Sequence, residues 1–313
     1  MLFAHAAAPV LDLDGDDLAR RLVDGPRTVW LAKQEMPETG EVIRELAPTA
    51  VVLVPDFARA YPLGSLAAPV VGVVGREELR TVGRAGLEHH YDEVLSGESQ
   101  AFLAVNDAIQ RKVRLERLES GRNGFPLELA IHARLQAVCE SELQRAMDEF
   151  GADAASAVVL DPRTGAVLAL GSLPSFDPAV GGQAPQENWR LRPVQDAIEP
   201  GSTVKPMVAA AALSAGSVSA GERFDCRGGG TRLAGFWIRD HADPGRYTID
   251  EVVAFSANTG IIEIAERIPA DHLYRTFAAF GFGRKSEIGY PAESRGLMPE
   301  VTTWSRSCQG FMP

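Results

Sequence analysis

Apolar positions along the chain change their period several times, and each change predicts an element. Between residues 10 and 24, Leu11, Leu13, Leu18, Leu22 and Val23 recur among charged residues at the spacing of a short amphipathic helix. Residues 28–32 and 50–54 are short apolar runs with strand character, and a helix is expected near 37–46 between them. Pro62-Leu63-Gly64-Ser65 reads as a turn, and the apolar run 68–75 is short enough for a strand. Residues 101–122 are charged and arginine-rich, which suggests a helical or extended connector between two halves.

The second half opens on an alternating segment, 125–131, that predicts a strand. A helix follows over about 132–150, with Leu135, Cys139, Leu143, Met147 and Phe150 forming one stripe. Residues 156–160 and 166–170 predict two strands of a hairpin, joined by Asp161-Pro162-Arg163-Thr164-Gly165. A polar segment rich in Pro and Gly, 172–198, leads to Glu199-Pro200-Gly201-Ser202-Thr203-Val204-Lys205-Pro206-Met207. The alanine-rich run behind it has high helix propensity until Gly216. Pro206 has no N–H to give, so it fits only within the first turn, which sets Ser202 at or near the helix start.

On a helix, residues i and i+3 share a face, so the Ser202 hydroxyl and the Lys205 amine point into one space. Serine is a poor nucleophile until a base takes its proton, and lysine serves only when neutral. Lowering a lysine pKa from roughly 10.4 to about 7 disfavours its charge by about 5 kcal/mol, which burial and a neighbouring cation can supply. Ser-x-x-Lys alone is a weak signal, arising by chance about once in such a length. Context strengthens it, because Lys205 is one of only four lysines in the chain.

Residues 217–248 read as irregular, with Asp240-His241-x-Asp243 in a solvated loop rather than a metal site. Thr248-Ile249-Asp250-Glu251 is a capping signature for a helix through Val252, Val253 and Phe255. Ser256-Ala257-Asn258-Thr259-Gly260 ends or interrupts that helix, and helical spacing restarts at Ile261. By spacing alone, Ser256 reads as a helix-terminal serine that caps the residues after it.

Composition narrows the class. At 313 residues two domains are expected, 1–122 and 123–313. A net charge of −11 argues against general nucleic-acid or anionic-membrane binding. Cys139, Cys226 and Cys308 lack zinc or redox spacing and read as free thiols. The adjacent His89 and His90 face apart on a helix and have no acidic ligand pattern beside them. No stretch approaches the roughly 20 apolar residues of a membrane helix, and the first residues lack the features of a signal peptide. Taken literally, the chain reads as soluble and cytosolic. Ser202 lacks the Gly-x-Ser-x-Gly frame of an α/β-hydrolase.

Together these motifs resemble those of class B penicillin-binding proteins. Residues 199–206 resemble the family's active-serine motif, Ser256-Ala257-Asn258 its Ser-x-Asn motif, and residues 280–283 and 291–296 the glycine-rich stretch beyond. Residues 61–75 and 86–97 resemble the pedestal, or dimerisation, module. The resemblance implies an α+β chain, in which a pedestal domain precedes an incomplete transpeptidase domain of serine β-lactamase-like fold. It implies that Ser202 attacks the D-Ala-D-Ala end of a peptidoglycan stem peptide and forms an acyl-enzyme that a neighbouring stem's amine resolves. Lys205 would take the serine proton, Ser256 would relay it, and Asn258 would bind the substrate amide.

No cofactor is implied; the implied ligands are stem peptides and β-lactams, with cell-division or elongation membrane proteins as partners. The parent protein is expected at the outer face of the bacterial cytoplasmic membrane. The family's Lys-Thr-Gly motif is absent, since Lys285-Ser286-Glu287 is misplaced and lacks the glycine. The sequence therefore reads as a fragment cut at both ends, with an incomplete sheet, weakened catalysis and a tendency to aggregate. A partner-binding fragment without catalysis, or a β-lactamase or carboxypeptidase relative, are the alternatives. The latter does not explain residues 61–97.

Overall fold

The computed structural model describes residues 2–26, 29–32, 35–53, 59–77, 80–97, 101–106, 112–119, 123–226, 228–233, 235–240 and 243–304. They fall into two compact units, Met1–Ala133 with Ser175–Trp189, and Arg134–Pro174 with Arg190–Pro313.

In the first unit, α1 (Leu2–Ala7), α2 (Gly15–Asp24) and α3 (Pro37–Leu46) gather Ala4, Ala7, Leu11, Leu18 and Ile43 into a small core. Asp14 starts α2 by accepting the Asp17 N–H at 2.8 Å. The strands expected at 28–32 and 50–54 do not form in the described residues 29–32 and 50–53; Thr28 and Val54 lie outside them. Leu31 and Val51 pack on the helical core instead. A short apolar run looks the same whether its backbone pairs or only its side chains are buried.

The run 68–75 also departs from a strand. It forms α4 (Ala68–Val71) and then enters β1 (Val74–Glu77), which pairs antiparallel with β2 (Arg80–Gly83). Gly72 makes the break: its φ is +90°, and a Cβ there would stand 1.9 Å from the Ala85 carbonyl oxygen. The chain continues through α5 (Gly86–His90) and α6 (Asp92–Ser96). His89 Nδ1 lies 3.1 Å from the Gly83 carbonyl, and His90 sits edge-on to Tyr91. Glu88 is buried and pairs with Arg59 at 2.8 Å. The expected connector is an antiparallel strand pair, β3 (Ala101–Asn106) and β4 (Lys112–Glu119), with residues 107–111 and 120–122 outside the description. Residues 125–131 form no strand, and Phe125, Leu127 and Leu129 remain exposed.

In the second unit, α7 (Ala133–Phe150) lies over the hairpin of β5 (Ala155–Leu160) and β6 (Val167–Leu173). Cys139 and Leu143 meet β6 at Gly171, where a Cβ would come within 2.5 Å of Leu143 Cδ1. Phe150, the last member of the expected stripe, is exposed. Gln136 is fully buried; its Oε1 accepts the Leu170 N–H at 2.7 Å and its Nε2 donates to the Leu170 carbonyl at 3.0 Å. A side-chain amide thus satisfies β6 as a neighbouring strand would.

The segment 217–248, expected to be irregular, contains two short antiparallel pairs. These are β7 (Arg223–Asp225) with β10 (Arg246–Thr248), and β8 (Gly230–Leu233) with β9 (Phe236–Arg239). Strands of three or four residues are too short to show a period. α8 (Arg192–Gln195) precedes the serine segment; α9 (Lys205–Ser214), α10 (Ile249–Ala254), α11 (Asn258–Glu266) and α12 (Ala270–Ala279) follow it. Ala211, Ala212, Phe224, Val252, Ile264, Leu273 and Phe277 form their shared core. No helix among the described residues is long and apolar enough to cross a membrane.

Candidate active site

The site grows from two helix starts. Gly201 has φ +58° and opens a 3-10 turn, Gly201–Val204, that runs directly into α9. Ser202 is exposed on that turn, and Pro206 falls at the second position of α9, where a missing N–H costs nothing. Ala211 and Ala212 behind it have no exposed surface, and such short side chains let α11 approach closely. Lys205 is consequently buried, at 6% exposure.

The second start follows α10. The Glu251 carboxylate accepts the Thr248 N–H at 2.8 Å, as the capping signature predicts. The chain then turns at Ser256, whose φ is +54°. A non-glycine residue in this region costs about 1–2 kcal/mol, and such strain collects where a side chain must be aimed. It delivers the Ser256 hydroxyl toward Lys205 and Ser202, and α11 begins two residues later at Asn258.

Lys205 Nζ donates to the Ser256 carbonyl at 2.7 Å, to Ser256 Oγ at 2.8 Å and to Asn258 Oδ1 at 2.6 Å. Ser256 Oγ donates to Ser202 Oγ at 3.1 Å. Asn258 Nδ2 donates to the Arg239 carbonyl at 2.7 Å. The four residues singled out in the sequence, Ser202, Lys205, Ser256 and Asn258, thus form one hydrogen-bonded chain. Within it, Lys205 reaches Ser202 by way of the Ser256 hydroxyl. Burial pushes the Lys205 amine below the usual lysine range, and the Asp240 carboxylate pulls against that shift.

Asp240, expected in a solvated loop, does lie in the loop after β9, but it is half-buried and its carboxylate is engaged. Its Oδ1 accepts the Asn258 N–H at 2.8 Å, and its Oδ2 accepts the Thr259 N–H at 3.1 Å and the Thr259 hydroxyl. The carboxylate caps α11 from another segment, so no local pattern announces it. His241 lies outside the described residues. Lys285 sits on an exposed loop where Ser286 N–H and Oγ donate to Glu293 Oε1 at 2.6 and 2.5 Å, apart from the chain of bonds above.

Comparison with known proteins finds two domain families along the chain. The sequence profile of the penicillin binding protein transpeptidase domain matches residues 155–311, and that of the penicillin-binding protein dimerisation domain matches residues 24–129. The chain is 32% identical over 302 residues to the peptidoglycan D,D-transpeptidase FtsI of Escherichia coli K12, covering 96% of this chain and 50% of that protein. It is 31% identical over 300 residues to the probable peptidoglycan D,D-transpeptidase PenA of Neisseria meningitidis, covering 94% and 51%. The chain therefore spans about half the length of these relatives. Penicillin binding protein 3 of Mycobacterium tuberculosis, solved with ampicillin, superposes with a TM-score of 0.67 at 31% identity, over 81% of this chain and 52% of that one.

Proposed function

The chain belongs to the penicillin-binding protein transpeptidase family, and on that premise we propose that Ser202 is the nucleophile of a D,D-transpeptidase acting on peptidoglycan stem peptides. The observation that carries the reading is the bonded path from Lys205 through Ser256 to Ser202. With the amine neutral, the path reverses its donors: Ser202 O–H donates to Ser256 Oγ, and Ser256 O–H donates to Lys205 Nζ. As Ser202 Oγ attacks the carbonyl carbon of the penultimate D-alanine, its proton moves to Ser256 and the Ser256 proton moves to Lys205. The tetrahedral intermediate collapses, the C–N bond breaks, and the proton returns along the path to the departing D-alanine nitrogen. An ester on Ser202 remains. The amine of a neighbouring stem attacks it, forms the cross-linking amide and restores the serine.

Asn258 keeps one Nδ2 proton beyond its bond to the Arg239 carbonyl, and that proton serves a substrate carbonyl. The helix start at Ser202 favours negative charge on the attacked oxygen. A β-lactam acylates the same hydroxyl by ring opening, and no fragment leaves. Stem peptides lie outside the cytoplasmic membrane, so the proposal carries this unit to that face. Gel detection of a fluorescent penicillin tests it: covalent labelling of the wild type that disappears in Ser202→Ala is expected. Absence of wild-type labelling at saturating drug refutes acyl transfer by this chain.

A further inference from the structure

The acyl-transfer path leaves the Asp240 carboxylate without a role, although both its oxygens are engaged. Its three bonds go to the first turn of α11, the turn that begins at Asn258. The neighbouring Arg239 carbonyl holds the Asn258 side-chain nitrogen. The end of β9 therefore grips Asn258 by backbone and side chain together, while Asn258 Oδ1 lies 2.6 Å from Lys205 Nζ. Ser256 reaches this turn through one intervening residue, in a strained conformation that needs a fixed neighbour to persist.

We propose that Asp240 is a positioning residue for acyl transfer: it locks Asn258 and Thr259 at the start of α11 and so sets the cage in which Lys205 holds and releases its proton. The inference rests on the function proposed above. Carboxylates at helix starts often serve stability alone, but this one also acts on the buried amine. α9 contributes no other titratable side chain, and the Ser256–Asn258 segment offers neutral acceptors. The Arg239 side chain is exposed, and burial pushes the nearby Cys226 thiol up, which keeps it neutral. Asp240 is the charge that favours the Lys205 ammonium, against burial, which disfavours it.

With four lysines in the chain, lysine labelled with carbon-13 at Cε gives a simple NMR spectrum, and Lys205→Arg assigns the resonance of interest. Asp240→Asn is expected to move the Lys205 titration downward by about one unit, the effect of losing a nearby opposite charge. Penicillin acylation at its pH plateau is expected to slow by about tenfold to a hundredfold as the cage loosens, with the acid limb displaced to lower pH. Thr259→Val, which removes the hydroxyl's contacts to Asp240 and Cys226 but keeps the carboxylate, is expected to leave the Lys205 titration in place.

An unmoved titration in Asp240→Asn overturns the proposal, and so does an equal displacement in Thr259→Val. If Asp240→Asn does not fold, Asp240→Glu decides. It keeps the charge, so the titration should stay near the wild-type value while acylation slows, and a downward displacement overturns the proposal. Wild-type protein that takes no penicillin defeats the acyl-transfer reading, whereas the titrations still judge Asp240.

Discussion

Replacing Gln136 tests whether a single side chain completes the hairpin sheet of the second unit. Gln136 is fully buried on α7 and makes three bonds: Leu170 N–H to Oε1 at 2.7 Å, Nε2 to the Leu170 carbonyl at 3.0 Å and Nε2 to Glu140 Oε1 at 2.7 Å. Leu170 is itself 4% exposed, so water does not readily replace the amide. Gln136→Ala leaves a buried N–H and a buried C=O without these partners, at about 1–3 kcal/mol each. A total near 3 kcal/mol corresponds to a fall in melting temperature of roughly 6–12 °C for a unit of this size. Gln136→Glu sharpens the test. At neutral pH it faces the Leu170 carbonyl with a second oxygen beside Glu140, and only the protonated acid reproduces the donor. Thermal unfolding followed by circular dichroism should show Gln136→Ala destabilised at every pH and Gln136→Glu recovering between pH 7 and 5. A loss under about 2 °C in Gln136→Ala, at most about 1 kcal/mol, would mean that Leu170 finds other partners and that the clamp is incidental.

Three further expectations follow from particular contacts. Acylation by penicillin should rise with pH as Lys205 loses its proton, with a midpoint below the ordinary lysine value of about 10.4, because burial lowers this amine; rates across pH 6–10 that stay flat contradict it. A Cβ at Gly260 would stand 2.7 Å from Val252 Cγ2 and 2.9 Å from Cys226 Sγ. Gly260→Ala should therefore lose about 1–2 kcal/mol in urea unfolding despite its better helix propensity, and should slow acylation by shifting Asn258; wild-type labelling rates speak against this. Burial raises the Glu88 carboxyl above its usual range, more than Arg59 lowers it. The native group thus binds its proton at higher pH than the unfolded one, and the stability it contributes is present at low pH and lost as pH rises through the native value. Glu88→Gln should abolish that fall, and identical slopes of melting temperature between pH 4 and 7 in both proteins would refute it.

Much of the site was legible because its chemistry coincides with local backbone signals. Pro200-Gly201 and Pro206 bracket a helix start, so Ser202 and Lys205 could be set on one turn before any fold was known. Glu251 announces the cap at Thr248, and α3, α7 and the β5–β6 hairpin lie near their expected positions because their periods run long enough to read. The residues whose role depends on distant partners stayed hidden. Asp240 bonds residues 18 and 19 positions away, and Gln136, a polar residue on a helix, bonds a strand 34 positions on. The apolar runs at 28–32, 50–54 and 68–75 misled for a different reason. Leu31 and Val51 pack on the helical core without strand pairing while Trp30, Val52 and Leu53 stay exposed, and composition does not separate such runs from a strand; in the third, the close approach of Gly72 to Ala85 divides a helical turn from β1.

The central claim is that one hydroxyl, Ser202 Oγ, is made nucleophilic by a neutral Lys205 acting through Ser256. Intact-protein mass spectrometry after incubation with benzylpenicillin, followed by peptide mapping, addresses it directly. One penicilloyl group is expected on the peptide that contains Ser202, with none in Ser202→Ala and strongly reduced yields in Lys205→Met and Ser256→Ala. An unmodified wild-type mass, an adduct mapped to another residue, or full modification of Lys205→Met would contradict the account.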